Sequence, residues 1–594
     1  MFRTVSGWLD LLDCGSEASP LPGLRAIVHL LNTRIQGCLM KPVAILAVAS
    51  HLILLGSGAG LAQGASGPLD VSVLAINDFH GNLEPPNGGI KIRDPDDPSK
   101  LIAVSAGGSE AMATLVKQLK GTNRNSVFVA AGDLIGASPL LSALLHDEPT
   151  VESLSLMGLE ASAVGNHEFD EGKDELLRMQ KGGCHPKDTC RGPHPFTGAG
   201  YQYLAASTVD TATGKTILPA YYVKEFEGIP VAFIGLTLKE TPTIVMPSGV
   251  AGLTFRDEAE TVNALVPELH AKGIEAIVVL IHEGGFPTGD YNECPGISGP
   301  IVNIVKKLNK AVDVVISGHT HRAYNCRIDD RLVTSGDKFG TLVTSISLRI
   351  DRSTRDVVDA KAENVIVRTD TYAKDPEQTA LLQDYRRLAA PLANQVVGIL
   401  VESLSKQDTP TGETPLGDVI ADAQLAATST ERDGKAVIAF MNPGGIRTDL
   451  LKKEDGKVTY ADLFAAQPFS NALVTMDLTG AQIKALLEQQ WINQPKPRIL
   501  QVSKGFTYTW DNAQSMGEHV LADSIKLNGQ PLSMDVTYRV TVNSFLADGG
   551  DGFSVLKQGK NLQYGPFDMD AFSAYFAGNS PIAAGPMDRI KRLN

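Results

Sequence analysis

Apolar runs of strand length recur through the first three-fifths of the chain, separated by longer stretches with helical spacing. The clearest are Val71–Ile76, Ser126–Ala131, Ala161–Val164, Ala276–Ile281 and Asp313–Ser317. Unbroken apolar runs suit strands covered on both faces. Their alternation with helix-length segments predicts an α/β domain over residues 69–367. The pattern turns helical over 368–396, where DPEQTALLQDYRRLAAPLANQ opens on Asp375-Pro376, a capping residue followed by proline. This segment reads as a linker helix. Residues 397–594 open with the helical stretch TPLGDVIADAQLAAT and the strand Val437–Met441, then continue in strand and turn signals to Arg592, as expected of an α+β domain. At 594 residues the chain is too long for one core, in keeping with two domains.

The N-terminus has a different logic. From Met40, MKPVAILAVASHLILLGSGAGLAQ carries Lys41, an apolar stretch from Val43 to Leu55 and small residues before a cut after Ala62, so 40–62 reads as a signal peptide. Residues 1–39 stand in front of it and read as a start-site artefact, with an unusually long n-region as the alternative. The protein is therefore expected to be exported, to the periplasm or the medium. No later apolar run approaches the length of a membrane span, so no stable membrane insertion is expected once the signal is removed. After Met40 stand Cys184, Cys190, Cys294 and Cys326. An even number in an exported chain suggests two disulfides. Cys184 and Cys190 share the loop GGCHPKDTCRG, which pairs them and leaves Cys294 for Cys326. A zinc knuckle using His185 is the competing reading.

Lys and Arg number 53 against 67 Asp and Glu, a net charge of −14. That balance disfavours a nucleic-acid polymer or an anionic membrane as partner. Small phosphate esters remain open, because bound cations reverse a local field.

The chemistry lies where the strands end. The five runs are followed in turn by Asn77-Asp78-Phe79-His80, Gly132-Asp133, Gly165-Asn166-His167-Glu168-Phe169-Asp170, His282-Glu283 and Gly318-His319-Thr320-His321. In open α/β sheets ligands gather beyond the carboxyl ends of strands, so these turns are expected to converge. His and Asp suit zinc, manganese or similar ions, and Asn adds a carbonyl oxygen. Asp78 with His80, and His319 with His321, each put two ligands on one short turn, and a carboxylate such as Asp133 can bridge two ions. Two divalent ions ~3.5–4 Å apart would clamp the attacking and leaving oxygens of a phosphoryl displacement.

DFHGN, GDLIG, GNHEFD, IHEGG and SGHTH, in that order, resemble the calcineurin-like metallophosphoesterase signature. From about Leu69 to its end the chain resembles the bacterial 5′-nucleotidase/UDP-sugar hydrolase family. The resemblance implies a β-sandwich flanked by helices, then a linker helix and an α+β substrate-binding domain. It places one ion on Asp78, His80, Asp133 and His321, and the other on Asp133, Asn166, His282 and His319. It makes His167 catalytic and Asp170 its orienting carboxylate; Glu168 and Glu283 receive no role.

In the second domain, the glycines of Asn442-Pro443-Gly444-Gly445-Ile446-Arg447 permit close backbone approach, and Arg447 can grip a phosphate. Phe469 and Phe545, from separate loops, can sandwich a base, with Asn471 or Asp551 at a nucleoside edge. The family's nucleoside clamp, polar contacts and glycine loop fall on these same residues. Some members carry a further phosphate-binding arginine just before the helix that here begins GETPLGD, and no arginine stands there. The expected activity is hydrolysis of nucleoside 5′-monophosphates. UDP-sugar or 2′,3′-cyclic nucleotide hydrolysis, or non-catalytic nucleoside binding, are the alternatives.

Overall fold

Two six-stranded sheets face each other in the N-terminal half. The first runs Val357–Ile366, Leu342–Ile350, Leu69–Ile76, Ser126–Ala130, Ala161–Ala163, Gln202–Leu204; the second runs Ala323–Ile328, Arg331–Gly336, Val314–Ser317, Ala276–His282, Ile229–Thr237, Tyr221–Phe226. The strands that end in candidate ligands lie in the parallel parts of these sheets; antiparallel strands occupy the other edges, except that Gln202–Leu204 closes the first sheet in parallel. The computed structural model describes residues 67–407, 409–494 and 496–594. The signal-peptide and start-site readings of 1–62 lie outside the described residues.

Alternation within each run assigns its side chains to two cores. Val71, Val73 and Ala75 face the other sheet, packing with Val127, Val129, Val278, Leu280, Val314 and Ile316. Leu74, Ile76, Phe128 and Ala130 point the other way, onto helices Ser109–Gly121 and Glu148–Leu156. Ile277, Val279 and Ile281 meet helices Glu258–Ala271 and Pro300–Lys307. The result is a four-layer helix–sheet–sheet–helix sandwich, which is why both faces of the central strands are apolar. Each observed strand begins or ends within two residues of its expected run.

The expected linker helix forms as Pro376–Ala393, with the Asp375 carboxylate accepting from the amides of Glu377 and Gln378. It lies along the sandwich. Leu382 joins the outer core of the first sheet, Gln378 exchanges hydrogen bonds with Ser153, and Tyr385 donates to Glu152 at 2.6 Å. Its far end, Leu392 and Ala393, packs in one cluster with Leu140 of the N-terminal half and Phe464 of the C-terminal half. The C-terminal half is a mixed five-stranded sheet, ordered Gln501–Val502, Ile438–Met441, Thr537–Asn543, Ala472–Thr479, Lys560–Phe567. Helix Pro415–Thr428 covers one face and helix Gly480–Glu488 the other.

Candidate metal and substrate site

The five strand-end turns converge. His80 Nε2 lies 3.1 Å from His321 Nε2, 3.7 Å from Asp133 Oδ2 and 3.9 Å from Asp78 Oδ1; His321 Nε2 lies 3.3 Å from Asp78 Oδ1. On the other side of Asp133, His282 Nε2 stands 2.9 Å from its Oδ2, and His319 completes a second group with these two. Asp78, His80, Asp133 and His282 are essentially inaccessible to solvent. Asp78, His80, Asp133, His319 and His321 all have left-handed backbone, with φ of 50°, 45°, 51°, 68° and 52°. Non-glycine residues hold that conformation only when their surroundings over-determine it.

The donor atoms fit divalent cations. His80 Nδ1 lies 2.9 Å from the Gly136 carbonyl and His282 Nδ1 2.8 Å from that of Ala131. A carbonyl only accepts, so each Nδ1 carries the hydrogen and each Nε2 presents a lone pair. Those lone pairs face carboxylate oxygens and one another, an arrangement that repels unless a cation lies between. Consistently, buried Asn166 Oδ1 has no hydrogen-bond partner. Burial holds His80 and His321 well below the usual histidine range and His319 at about 4, keeping them neutral as ligands. His282 is the exception. Burial lowers it, but Asp133 outweighs that and lifts it to about 10, so this pair holds a proton where a cation would replace it.

His167 Nδ1 is 2.7 Å from Asp170 Oδ2, and its backbone amide donates to Asp133 Oδ1 at 2.9 Å. Burial depresses the imidazole, yet Asp170 and then Asp133 carry it above its ordinary value. Glu168, given no role by the sequence, is a fastener. Its carboxylate accepts from the amides of Asp133 (3.0 Å), Leu134 (2.8 Å) and Gly165 (2.6 Å), joining two ligand turns. Gly165 must be glycine, because a Cβ there would sit 2.1 Å from Asp133 Oδ1.

A cleft of about 2150 Å³ opens over these groups. Its walls include Asp133, Asn166, His167, Asp170, His319 and His321 from the N-terminal half, and Asn442, Gly445, Arg447, Phe469, Asn471, Phe545 and Asp551 from the C-terminal half. Arg447 Nη2 reaches to 3.5 Å of His80 Nε2, and the guanidinium lies 5.8 Å from the Phe469 ring centre. The Phe469 ring in turn stacks on His167 at 5.8 Å. Asp551 is less available than expected, because Asn442 Nδ2 donates to it at 2.8 Å and Arg498 pairs with it. Asn471 accepts from Ser544 and donates weakly to Asp568. The sequence reading missed Arg498 and Lys338, both in the cleft wall; neither lies in a motif.

Cys184 is bonded to Cys190 and Cys294 to Cys326, as paired from the sequence, which removes the thiolates a zinc knuckle needs. His185 stacks on His146 at 3.7 Å, beside Glu171 and Asp188. This group is satisfied as it stands. His146 lies between two carboxylates, which raise its pKa against burial, and His185 Nδ1 accepts the Asp188 amide.

Residues 71–323 match the calcineurin-like phosphoesterase family, and residues 393–558 match the 5′-nucleotidase C-terminal domain. Endonuclease YhcR of Bacillus subtilis is 35% identical over 522 residues, 87% of this chain; the chain spans only 40% of that protein's length. Cell wall protein Lmo0130 of Listeria monocytogenes is 31% identical over 548 residues, 86% of this chain and 68% of that protein. A solved 5′-nucleotidase precursor from Thermus thermophilus is 27% identical and superposes with a TM-score of 0.73, covering 89% of this chain and 100% of that one.

Proposed function

Since the chain belongs to the 5′-nucleotidase family of calcineurin-like phosphoesterases, and is a hydrolase of that kind, we propose that it removes phosphate from nucleoside 5′-monophosphates outside the cytoplasm, at a centre of two divalent ions. Residues 69–367 hold the metals, 368–396 link, and 397–594 select the substrate. One observation carries this reading: Arg447 and Phe469 of the C-terminal half stand against His80 and His167 of the N-terminal half in a single cleft.

Asp78, His80, Asp133 and His321 hold one ion, and Asp133, Asn166, His282 and His319 the other. When bound, the ions supply Lewis acidity and bring the pKa of water towards neutrality. The protein supplies the rest. Asp170 accepts the Nδ1 proton of His167, fixing the ring so that Nε2 serves the departing oxygen as proton donor. The raised pKa of His167 suits that task. Arg447 binds phosphoryl oxygens, and the rings of Phe469 and Phe545 hold a base between them. The complete ligand set, with its catalytic pair intact, argues against a non-catalytic nucleoside-binding role.

Two disulfides and a relative named as a cell wall protein support export. Among the described residues no helix is long and apolar enough to cross a membrane. A second reading, hydrolysis of UDP-sugars or 2′,3′-cyclic nucleotides, draws on the cleft's size, well above the ~300–1,000 Å³ usual for small-molecule sites, and on the missing arginine before Gly412. The relative named as an endonuclease points the same way, to phosphodiesters.

The test is phosphate release from AMP and from p-nitrophenyl phosphate, with and without a chelator. Hydrolysis of both, abolished by the chelator, is the expected result. Hydrolysis of the aryl ester alone would end the nucleotide reading and leave the phosphoesterase. Activity indifferent to the chelator would end the metal reading.

A further inference from the structure

Lys338 occupies an unusual position. It lies in the wall of the cleft and is partly buried. Among the described residues its ammonium makes no hydrogen bond and no ion pair; its neighbour is the face of the Phe339 ring, 5.0 Å from the ring centre. That ring sets its edge against His80 at 5.9 Å and His321 at 5.8 Å, two ligands of the same ion. The segment is fixed rather than loose. The Phe339 amide donates to the Asp78 carbonyl at 2.7 Å, and Asn77 Nδ2 donates to the Asp337 carbonyl at 2.8 Å. Lys338 is thus held in register with the strand end that carries Asp78 and His80.

A cation withdrawn from water without an anion loses hydration that nothing in the protein restores. Burial accordingly lowers the pKa of Lys338, and Asp337 only partly opposes it. Arg447, facing the same space from the other half, has no carboxylate within ion-pair distance among the described residues; its polar neighbours are the Gly444 carbonyl and His80, each at 3.5 Å. Both cations line the cleft that opens over the candidate metal ligands.

We propose that Lys338 is a phosphoryl-binding residue, its ammonium donating to a non-bridging oxygen of the group held at the metal centre, alongside Arg447. This rests on the phosphoester reading above and does not depend on the nucleoside. Lysine serves well here, because a compact charge with three rotatable donors can follow an oxygen as the group inverts.

Inorganic phosphate is the probe. Its affinity for the metal-loaded protein is measured by calorimetry and by competition against p-nitrophenyl phosphate, for the parent, Lys338→Met and Lys338→Arg. Losing one charge-assisted hydrogen bond should weaken phosphate binding by roughly 10- to 100-fold in Lys338→Met. Lys338→Arg should recover most of it. The fall in kcat/KM should be alike for AMP and the aryl ester, because the contact is to the group they share. Metal content should not change. Lys338→Gln replaces Lys338→Met if the latter is unfolded. Phosphate affinity within about twofold of the parent would overturn the assignment. So would loss of metal from Lys338→Met that Lys338→Arg restores, since the charge would then be offsetting the ligand carboxylates. If AMP proves not to be a substrate, the phosphate titration still decides the role of Lys338.

Discussion

Glu168→Gln tests whether the second ligand turn is held in place through the backbone. The wild-type carboxylate is 2% exposed and takes three amide hydrogens, two on Oε2 from Asp133 and Gly165 and one on Oε1 from Leu134. A glutamine keeps the doubly bonded oxygen and turns its NH₂ towards the Leu134 amide. Burial and then Asp133 lift this carboxyl to about 8, so the bond lost counts as an ordinary one, about 0.5–1.5 kcal/mol, and a buried donor is left unmet at about 1–3 kcal/mol; the two overlap, so about 1–3 kcal/mol is expected. The melting temperature should fall by several degrees. Asp133 moves with its own amide, so affinity for the ions should drop roughly 10- to 100-fold, the usual cost of disturbing a residue behind the ligands. Calorimetric unfolding and a competitive chelator titration on one preparation measure both. Lower stability with unchanged metal affinity would show that the bond network does not position Asp133. No change in either would mean that the carboxylate carries no load.

His167→Ala should cut turnover by about 10²–10⁴ while metal analysis shows both ions retained, as expected of a proton donor rather than a ligand. Phe545→Ala should lower kcat/KM for AMP by roughly one to two orders of magnitude, from ~1–3 kcal/mol of stacking, and spare p-nitrophenyl phosphate; equal losses would assign the ring to packing over Gly550, whose Cβ position lies 2.5 Å from it. Asp313, whose Oδ2 accepts the Ile277 amide, is lifted by burial to about 8. A folded pKa above the unfolded value favours the protonated form, so this contribution is full in acid and is lost as pH rises towards 8. Asp313→Asn should therefore lose less thermal stability than the parent between about pH 5 and pH 8.5, measured by calorimetry; parallel curves would refute the burial argument.

The sandwich strands and the candidate ligands at their ends were legible because local sequence determines both. An apolar run buried on two faces announces a strand, and the first polar residues beyond it mark the turn where Asp78, Asp133 or His319 must stand. The helix at Pro376 was announced by its own cap. What the sequence hid depends on contacts between distant segments. Glu168 follows His167 in a recognised motif, yet its role is visible only when the Asp133 turn, 35 positions away, lies against it. Asp551 read as a free polar group because Asn442 and Arg498 are 109 and 53 positions away. Lys338 belongs to no motif, and its meaning comes from the partners it lacks.

The left-handed turns at five of the candidate ligand residues bear on how the proposed ions would be held. A conformation of that kind costs of order 1–3 kcal/mol at a residue with a side chain, less for Asp and His than for bulkier ones. Hydrogen bonds around these turns already hold that shape, so its cost is met in folding and coordination would not have to supply it. The same turns limit what evolution can substitute: glycine can take the shape but brings no donor atom, and a β-branched residue suits neither.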